Sequence, residues 1–489
     1  MADVILVQPT TLNRELGAPL GLMALAAYLE SYGYEVTILD VRLEADYQER
    51  LLQLVSQDPI AIGITCLTGS QISSAMEVSC LVKSRNKRLP VIWGGIHPSC
   101  LPRQTLENPN IDIVVRGEGE ETLLETINAL KNGSDLGEVK GLTYKEGRLI
   151  CENPDRPFLD MDQLPIPAWH LIDVSRHIEG VSRGNGDRLI NMATSRSCPH
   201  RCTFCYNLSL GIRPWRARNP SLVLEELKYL TDNFKVNRIM FQDDNFATDK
   251  RRAMAIAQGI KEKGLDLKWI ANLRVDYFDK EWLSEMKEGG LNQLLVGAES
   301  GSQTILELIK KDTTVEQIRL SAAIAKEIDL RVNYTLVIGW PGETKEERCK
   351  TIKLMLELGQ INPQTVSSIL YFYTPYPGNP LYDKAVEVGF KPPDRLEAWS
   401  NFSWQAVNIP WIKDKRKFET IGSLSPLASL RVDLGKAFNG FHPGQIALAL
   451  GAILVRSLVR FRLKHEFVAL SFEPFLVKIG LWLKRQLHS

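Results

Sequence analysis

The stretch Leu189-Ile-Asn-Met-Ala-Thr194, followed after Ser195-Arg-Ser197 by Cys198-Pro-His-Arg-Cys202-Thr-Phe-Cys205, decides the reading of this chain. The first six residues read as a buried strand, and the loop after them gathers three of the eight cysteines of the 489-residue chain. From that strand onward two kinds of pattern alternate. Strand candidates fall at 189–194, 236–241, 267–272, 292–297, 332–338 and 366–372. Helical patterns lie between them at 220–233, 249–263, 279–288, 302–309, 315–328 and 344–359. Six strand–helix units in about 185 residues predict an open or partial (β/α)6, TIM-like barrel, with functional residues just beyond the C-terminal ends of the strands.

Upstream, apolar strands are expected at 3–8, 36–40, 60–66, 91–93 and 111–115, with helical patterns between them, the first ending at Gly33. Strands apolar throughout imply a parallel sheet covered on both faces, so residues 1–136 are expected to form a doubly wound, Rossmann-like α/β domain. Residues 137–187 hold Pro154, Pro157, Pro165 and Pro167 and read as a linker with little regular structure. The barrel is assigned to 188–395, and 396–489 to a partly helical, basic C-terminal region.

Composition bounds what such a chain can do. Hydrophobic residues are 44% and charged residues 24%, an ordinary globular balance. Lys+Arg 59 against Asp+Glu 58 leaves +1, which excludes a general basic field for nucleic acid. Eight cysteines are too sparse for a disulfide framework. The N-terminus shows no charged and apolar leader, and no apolar run reaches the length of a spanning helix, so a cytoplasmic enzyme is expected. The neutral total conceals a split: residues 440–489 hold 7 Lys+Arg and 2 Asp+Glu, a net of +5, and the remainder is −4.

Thiolates hold iron–sulfur clusters, and Cys-x3-Cys-x2-Cys in one loop can bring three to a four-iron cluster, leaving one iron open. The alternatives are reactive thiols or zinc, which normally takes four ligands; His200 is the nearest fourth, locked inside the same loop. Cys66, Cys80, Cys100, Cys151 and Cys349 have no cluster spacing.

Cys198, Cys202 and Cys205 after the first barrel strand resemble the signature of the radical S-adenosylmethionine (SAM) superfamily, over about residues 185–395. The resemblance implies a [4Fe-4S] cluster whose open iron chelates SAM, and reductive cleavage to a 5′-deoxyadenosyl radical that abstracts hydrogen from an unactivated C–H bond. It also implies SAM contacts. Phe204 would pack by the adenine, the alternative being a core aromatic. In Phe241-Gln-Asp243-Asp244-Asn245-Phe246 a carboxylate stands where the superfamily often has Gly-Gly-Glu; either Asp243 or Asp244 would face the SAM ammonium, the alternative being to cap the next helix. Gly297-Ala-Glu299-Ser300-Gly301 resembles the ribose-binding segment, with Ser300 or Ser302 as alternative helix caps. Ile338-Gly339-Trp-Pro341-Gly342-Glu343 resembles the adenine-side loop, and Tyr373 opens a proline-rich loop of the subgroup.

A doubly wound domain before such a barrel resembles the B12-binding domain of cobalamin-dependent radical SAM enzymes. The residues concerned are Gly21 at the first helix, Thr65 and Leu67 after the third strand, Gly94, Gly95 and His97 after the fourth, and Gly117 and Glu118 after the fifth. The Asp-x-His-x-x-Gly motif that puts histidine below cobalt is absent from Gln8–Gly17, so base-off, His-off cobalamin is expected. His97 is either a corrin neighbour or an ordinary loop histidine.

The resemblance implies a methyltransferase acting on an unactivated carbon. Alternatives are a non-methylating member, of the anaerobic Mg-protoporphyrin ester cyclase or lipid-coupling type, and a corrinoid- or SAM-binding protein without turnover. Expected partners are a small-molecule or lipid-like substrate and a flavodoxin- or ferredoxin-like electron donor. The segment 446–464, and Leu476 to Leu487 with Trp482, Lys484 and Arg485, combine apolar residues with cations. They read either as a helical cap on the barrel or as interfacial helices giving peripheral membrane contact.

Overall fold

The computed structural model describes residues 2–11, 16–181, 186–209, 214–365, 369–404, 406–428, 443–465 and 467. Two sheets dominate it. The first contains β1 (Val4–Gln8), β2 (Val36–Asp40), β3 (Ala61–Thr65), β4 (Val91–Gly94), β5 (Ile113–Val115), β6 (Leu142–Glu146) and β7 (Leu149–Glu152), in the order β2-β1-β3-β4-β5-β6-β7. The first five pair in parallel, as their apolar sequences require, and Val4, Ile5, Val7, Ala61, Ile62 and Val91 are fully buried.

Strands β6 and β7 correct the expectation for 137–187. They form an antiparallel hairpin on the β5 edge, turning at Gly147, which holds φ +59°. The prolines of this segment lie after the hairpin, so they do not interrupt its ladder. Leu142 and Tyr144 alternate into the core; this period-2 signal is masked by the proline-rich composition that follows. The helix Val174–Val181 is a second regular element in that segment.

The second sheet is built from β8 (Leu189–Met192), β11 (Arg238–Phe241), β12 (Lys268–Leu273), β13 (Leu291–Glu299), β14 (Arg331–Ile338) and β15 (Ile369–Phe372), in the order β15-β14-β13-β12-β11-β8. The strand–helix alternation holds throughout, with helices Pro220–Phe234, Lys250–Glu262, Lys280–Glu288, Gln303–Leu308, Val315–Glu327 and Lys345–Ile361. Six strands in sequential order form the partial barrel expected. Thr314 and Thr344 each begin a helix with a reciprocal capping box. A two-stranded ribbon, β9 (Ser195–Arg196) with β10 (Arg216–Ala217), brackets the cysteine loop and has no counterpart in the sequence pattern.

The chain divides into two compact units. One comprises Met1–Pro199, Phe204–Trp269 and Pro375–Asn408; the other comprises His200–Thr203, Ile270–Thr374 and Ile409–Ser489. In the first, the segment 375–408, with helices Pro380–Glu387 and Leu396–Trp399, packs on the doubly wound domain: Trp399 Nε1 donates to Gln104 Oε1 at 2.7 Å, and its indole meets the His97 ring edge-on at 5.6 Å. In the second, the helices Lys415–Ala428 and Pro443–Lys464 pack on each other, and the latter also on Lys345–Ile361. Leu476 to Leu487 lies outside the described residues.

Candidate active site at the strand ends

In the first unit, Asp243 follows β11 and is almost fully buried. Its carboxylate accepts from the Thr194 backbone N–H at 2.7 Å, Thr194 Oγ1 at 2.6 Å and Ser195 Oγ at 2.5 Å. Burial pushes its pKa up, and the Ser195 and Thr194 hydrogen bonds oppose that rise. Asp243 therefore locks the turn between β8 and the cysteine loop. Asp244 is only partly buried and accepts from Tyr206 Oη at 2.7 Å, so of the two carboxylates it is the one presented at the surface of the turn. Neither caps the following helix: Asp249 does, accepting from the backbone N–H groups of Arg251 and Arg252. Phe204 and Cys205 are half-buried, as is Cys198, and no disulfide joins any of the eight cysteines.

In the second unit, Cys202 is buried. Arg274, one residue beyond β12, donates from Nη1 to Cys202 Sγ at 3.6 Å. Its guanidinium is fixed by Asp276, at 3.0 and 3.1 Å, and by the Lys311 carbonyl at 2.7 Å. Burial pushes the Cys202 thiol up, while Lys311 and Arg274 pull it back toward the thiolate. Glu299 ends β13 at φ +61°, next to a register shift at Gly297, and Lys311 Nζ contacts its Oε1 at 3.0 Å. A side chain at Gly297 would collide with that carboxylate, so the glycine is needed for the close approach. Ser302 occupies the N-cap of the next helix without a side-chain bond, and Ser300 Oγ accepts from the Ser302 N–H at 3.1 Å. Gly339, at φ +84°, donates its N–H to Glu343 Oε2 at 2.7 Å and accepts from Trp411 Nε1 at 2.9 Å. Tyr373 is buried beside Trp340 and Trp411. His200, the fourth ligand of the zinc alternative, is instead 3.2 Å from Tyr277 Oη.

Among the described residues, no three His, Cys, Asp or Glu side chains form a set that would hold a single metal ion. A four-iron cube takes each thiolate on a different iron, so its ligands are spread wider than a mononuclear set. Three thiols in one short loop, one with an arginine N–H on its sulfur, fit that group.

The strand ends of the first sheet have another character. Gly95 holds φ +95°, and a Cβ there would lie 2.9 Å from the Cys66 carbonyl. Gly21 has open space around it, Gly94, Gly117 and Thr65 are half-buried, and Leu67 is exposed. His97 is fully buried with Nδ1 3.0 Å from Thr68 Oγ1, and its Nε2 has no hydrogen-bond partner in the protein. Burial holds its pKa down to about 4, so the ring is neutral near pH 7. Small residues and an orphaned imidazole nitrogen suit a bulky cofactor with polar edges. Glu118 is committed elsewhere: its carboxylate pairs with Arg196 at 3.2 Å and with Arg216, while Glu120 also pairs with Arg196. Burial disfavours the charged Arg196, but Glu120 and Glu118 more than offset it and raise its pKa above the ordinary arginine value. The Asn191 side chain on β8 accepts from the Ala18 N–H at 2.7 Å and donates to its carbonyl at 3.1 Å.

Sequence reading missed Arg274, Lys311, Arg196 and Arg216. Arg274 lies one residue after a barrel strand, a position that could have identified it; the others carry no local signal.

Residues 14–127 match the B12 binding domain family and residues 192–355 the Radical SAM superfamily. The chain is 36% identical over 394 residues, 78% of its length and 83% of the relative's, to "Uncharacterized methyltransferase PH0819" of Pyrococcus horikoshii. It is 28% identical over 448 residues, 81% of its length and 83% of the relative's, to cytidylyl-2-hydroxyethylphosphonate methyltransferase of Streptomyces wedmorensis. The fold matches the cobalamin-dependent radical enzyme OxsB, solved with aqua-cobalamin and SAM bound, at a TM-score of 0.72 and 18% identity, covering 99% of this chain and 75% of that one. Both matched domains, in this order along one chain, make it a member of the B12-binding radical SAM family, with a [4Fe-4S] cluster, SAM and cobalamin as its cofactors.

Proposed function

We propose that this protein is a methyltransferase that transfers a methyl group to an unactivated carbon of a small-molecule or lipid-like substrate. When bound, the cluster and SAM supply a radical that opens a C–H bond, and cobalamin supplies the methyl carrier. The carrying observation is the pinning of the B12-binding domain onto the strand that leads to the cluster loop. Asn191 ties Ala18 to β8, and the Glu118–Arg196–Glu120 ion pairs tie the loop after β5 to the ribbon that brackets the cysteines. Methyl transfer needs its reacting groups held in one geometry, and a fixed docking of this kind provides it. The methyltransferase names of the two relatives support the same reading.

The chain's own residues would divide the work. Cys198, Cys202 and Cys205 hold the cluster. Arg274 neutralises charge on the Cys202 sulfur, Glu299 accepts from ribose hydroxyls, and Asp244 faces the SAM ammonium. Phe204, Gly339 and Tyr373 border the adenine. Gly21, Thr65, Leu67, Gly94, Gly95, His97 and Gly117 surround the corrinoid, with Glu118 acting through its arginines. A flavodoxin- or ferredoxin-like protein supplies the electron.

The test is turnover of protein reconstituted with iron, sulfide and cobalamin and supplied with a low-potential reductant, with SAM labelled in its methyl group. The expected products are 5′-deoxyadenosine, S-adenosylhomocysteine and a labelled product. No SAM cleavage, or equal cleavage by Cys202→Ala, would overturn the radical chemistry. Cleavage with no methyl recovered in product would overturn methylation in favour of cyclisation or coupling.

A further inference from the structure

The helix Pro443–Lys464 has two faces of opposite fate. Val459 and Leu463 are buried, and Arg460 Nε donates to the Ala428 carbonyl at 3.0 Å, so one side is packed on the protein. On the other side Leu450, Leu454, Leu458 and Phe461 are 51%, 69%, 38% and 58% exposed. Their spacing of four, four and three residues places them in a single row along the helix. Elsewhere among the described residues, large exposed apolar side chains such as Tyr32, Leu149 and Leu320 are scattered; only here do they line up. Lys464, exposed and three residues beyond Phe461, borders this row at its end. The helix contains no Asp or Glu.

We propose that this face docks on the surface of an anionic lipid bilayer, with the apolar row at the acyl boundary and Lys464 on the headgroup phosphates. Charge complementarity selects this occupant. Residues 440–489 carry +5 on a chain whose remainder is −4, so attraction to an anionic surface is concentrated at this end. A second copy of the chain would bring another +5 against it. No helix among the described residues is long and apolar enough to cross a membrane, so the helix lies on the bilayer without spanning it. Docking deepens the proposed function by placing the enzyme where lipid-like substrates reside, and rests on that reading only for the substrate class.

The experiment is flotation of the reconstituted full chain with phosphatidylcholine vesicles containing about one third phosphatidylglycerol, and with phosphatidylcholine alone. The expected result is binding roughly tenfold stronger to the anionic vesicles, falling as salt rises. The Leu454→Glu/Phe461→Glu double variant should lose binding by roughly tenfold or more, and Lys464→Glu by several-fold. Leu320→Glu, at an exposed leucine of another helix, should bind like wild type. SAM cleavage to 5′-deoxyadenosine should persist in all three variants, which separates lost docking from lost folding and needs no knowledge of the methylated substrate. Absence of binding to anionic vesicles, equal binding by the double variant, or self-association that the double variant abolishes would each overturn the proposal.

Discussion

The two sets of strand ends in this molecule are prepared in opposite ways. Around Asp243, Arg274 and Lys311 the protein has buried charges and given them partners before any ligand arrives. Around Gly94, Gly95 and His97 it has removed side chains, held an imidazole neutral and left one of its nitrogens unpartnered. A cluster with SAM is small and charged, and preset charges stabilise it without reorganisation. Cobalamin is large and demands room, with hydrogen bonds supplied only at its edges.

The largest effect is expected at the cluster. Cys202→Ala should lower 5′-deoxyadenosine formation by roughly a hundredfold or more and reduce bound iron, measured by product assay and iron analysis. Asp243→Asn should come next. Asparagine offers one acceptor oxygen where the carboxylate serves three donors, so chemical denaturation should show a loss of about 3 kcal/mol. Arg274→Gln removes an N–H and a positive charge from a cluster sulfur. At a fixed potential, the reduced cluster seen by electron paramagnetic resonance should fall about tenfold, equivalent to about 59 mV for a one-electron couple. Arg274→Lys should recover part of it.

His97→Phe sharpens the other side. Cobalamin affinity should drop roughly tenfold, read from the absorption spectrum during titration, while the stability of the cobalamin-free protein changes little, because removal of the unpartnered Nε2 offsets the lost Nδ1–Thr68 hydrogen bond. The pH dependence has a definite sign. The folded-state pKa lies below the unfolded value, so the stability contribution of His97 is complete above about pH 6.5 and is lost as pH falls through about 4. Over that window wild type should lose up to about 3 kcal/mol that His97→Phe retains, measured as the difference between their denaturation curves.

The legibility of the two regions also differs. Periodicity gave every barrel strand and each helix between them, because short β-branched or alternating apolar runs there are separated by amphipathic helical patterns. The hairpin Leu142–Glu152 escaped because short edge strands carry a weak signal beside a run of prolines. The cysteines are legible because their spacing within one loop is itself the geometry. The charges that serve the loop are not. Arg274 is 72 residues from Cys202, and Arg196 reaches Glu120 across 76, distances over which sequence alone offers no pairing rule. Asp243 stands between these cases. Its position after β11 resembles that of a ligand contact, yet its carboxylate is spent on Thr194 and Ser195 as a lock.

The segment 375–408 carries a consequence for how such proteins can be taken apart. It follows the last barrel strand in the chain, yet it packs on the first domain through Trp399, against His97 and Gln104. The cofactor domain is therefore discontinuous in the gene. A fragment cut after the hairpin would lack part of its own wall, and a barrel expressed alone would carry an aromatic patch with nothing to cover it. Recombination between members of such a lineage would have to exchange both pieces together, which binds the history of the N-terminal domain to that of a segment some 240 residues downstream.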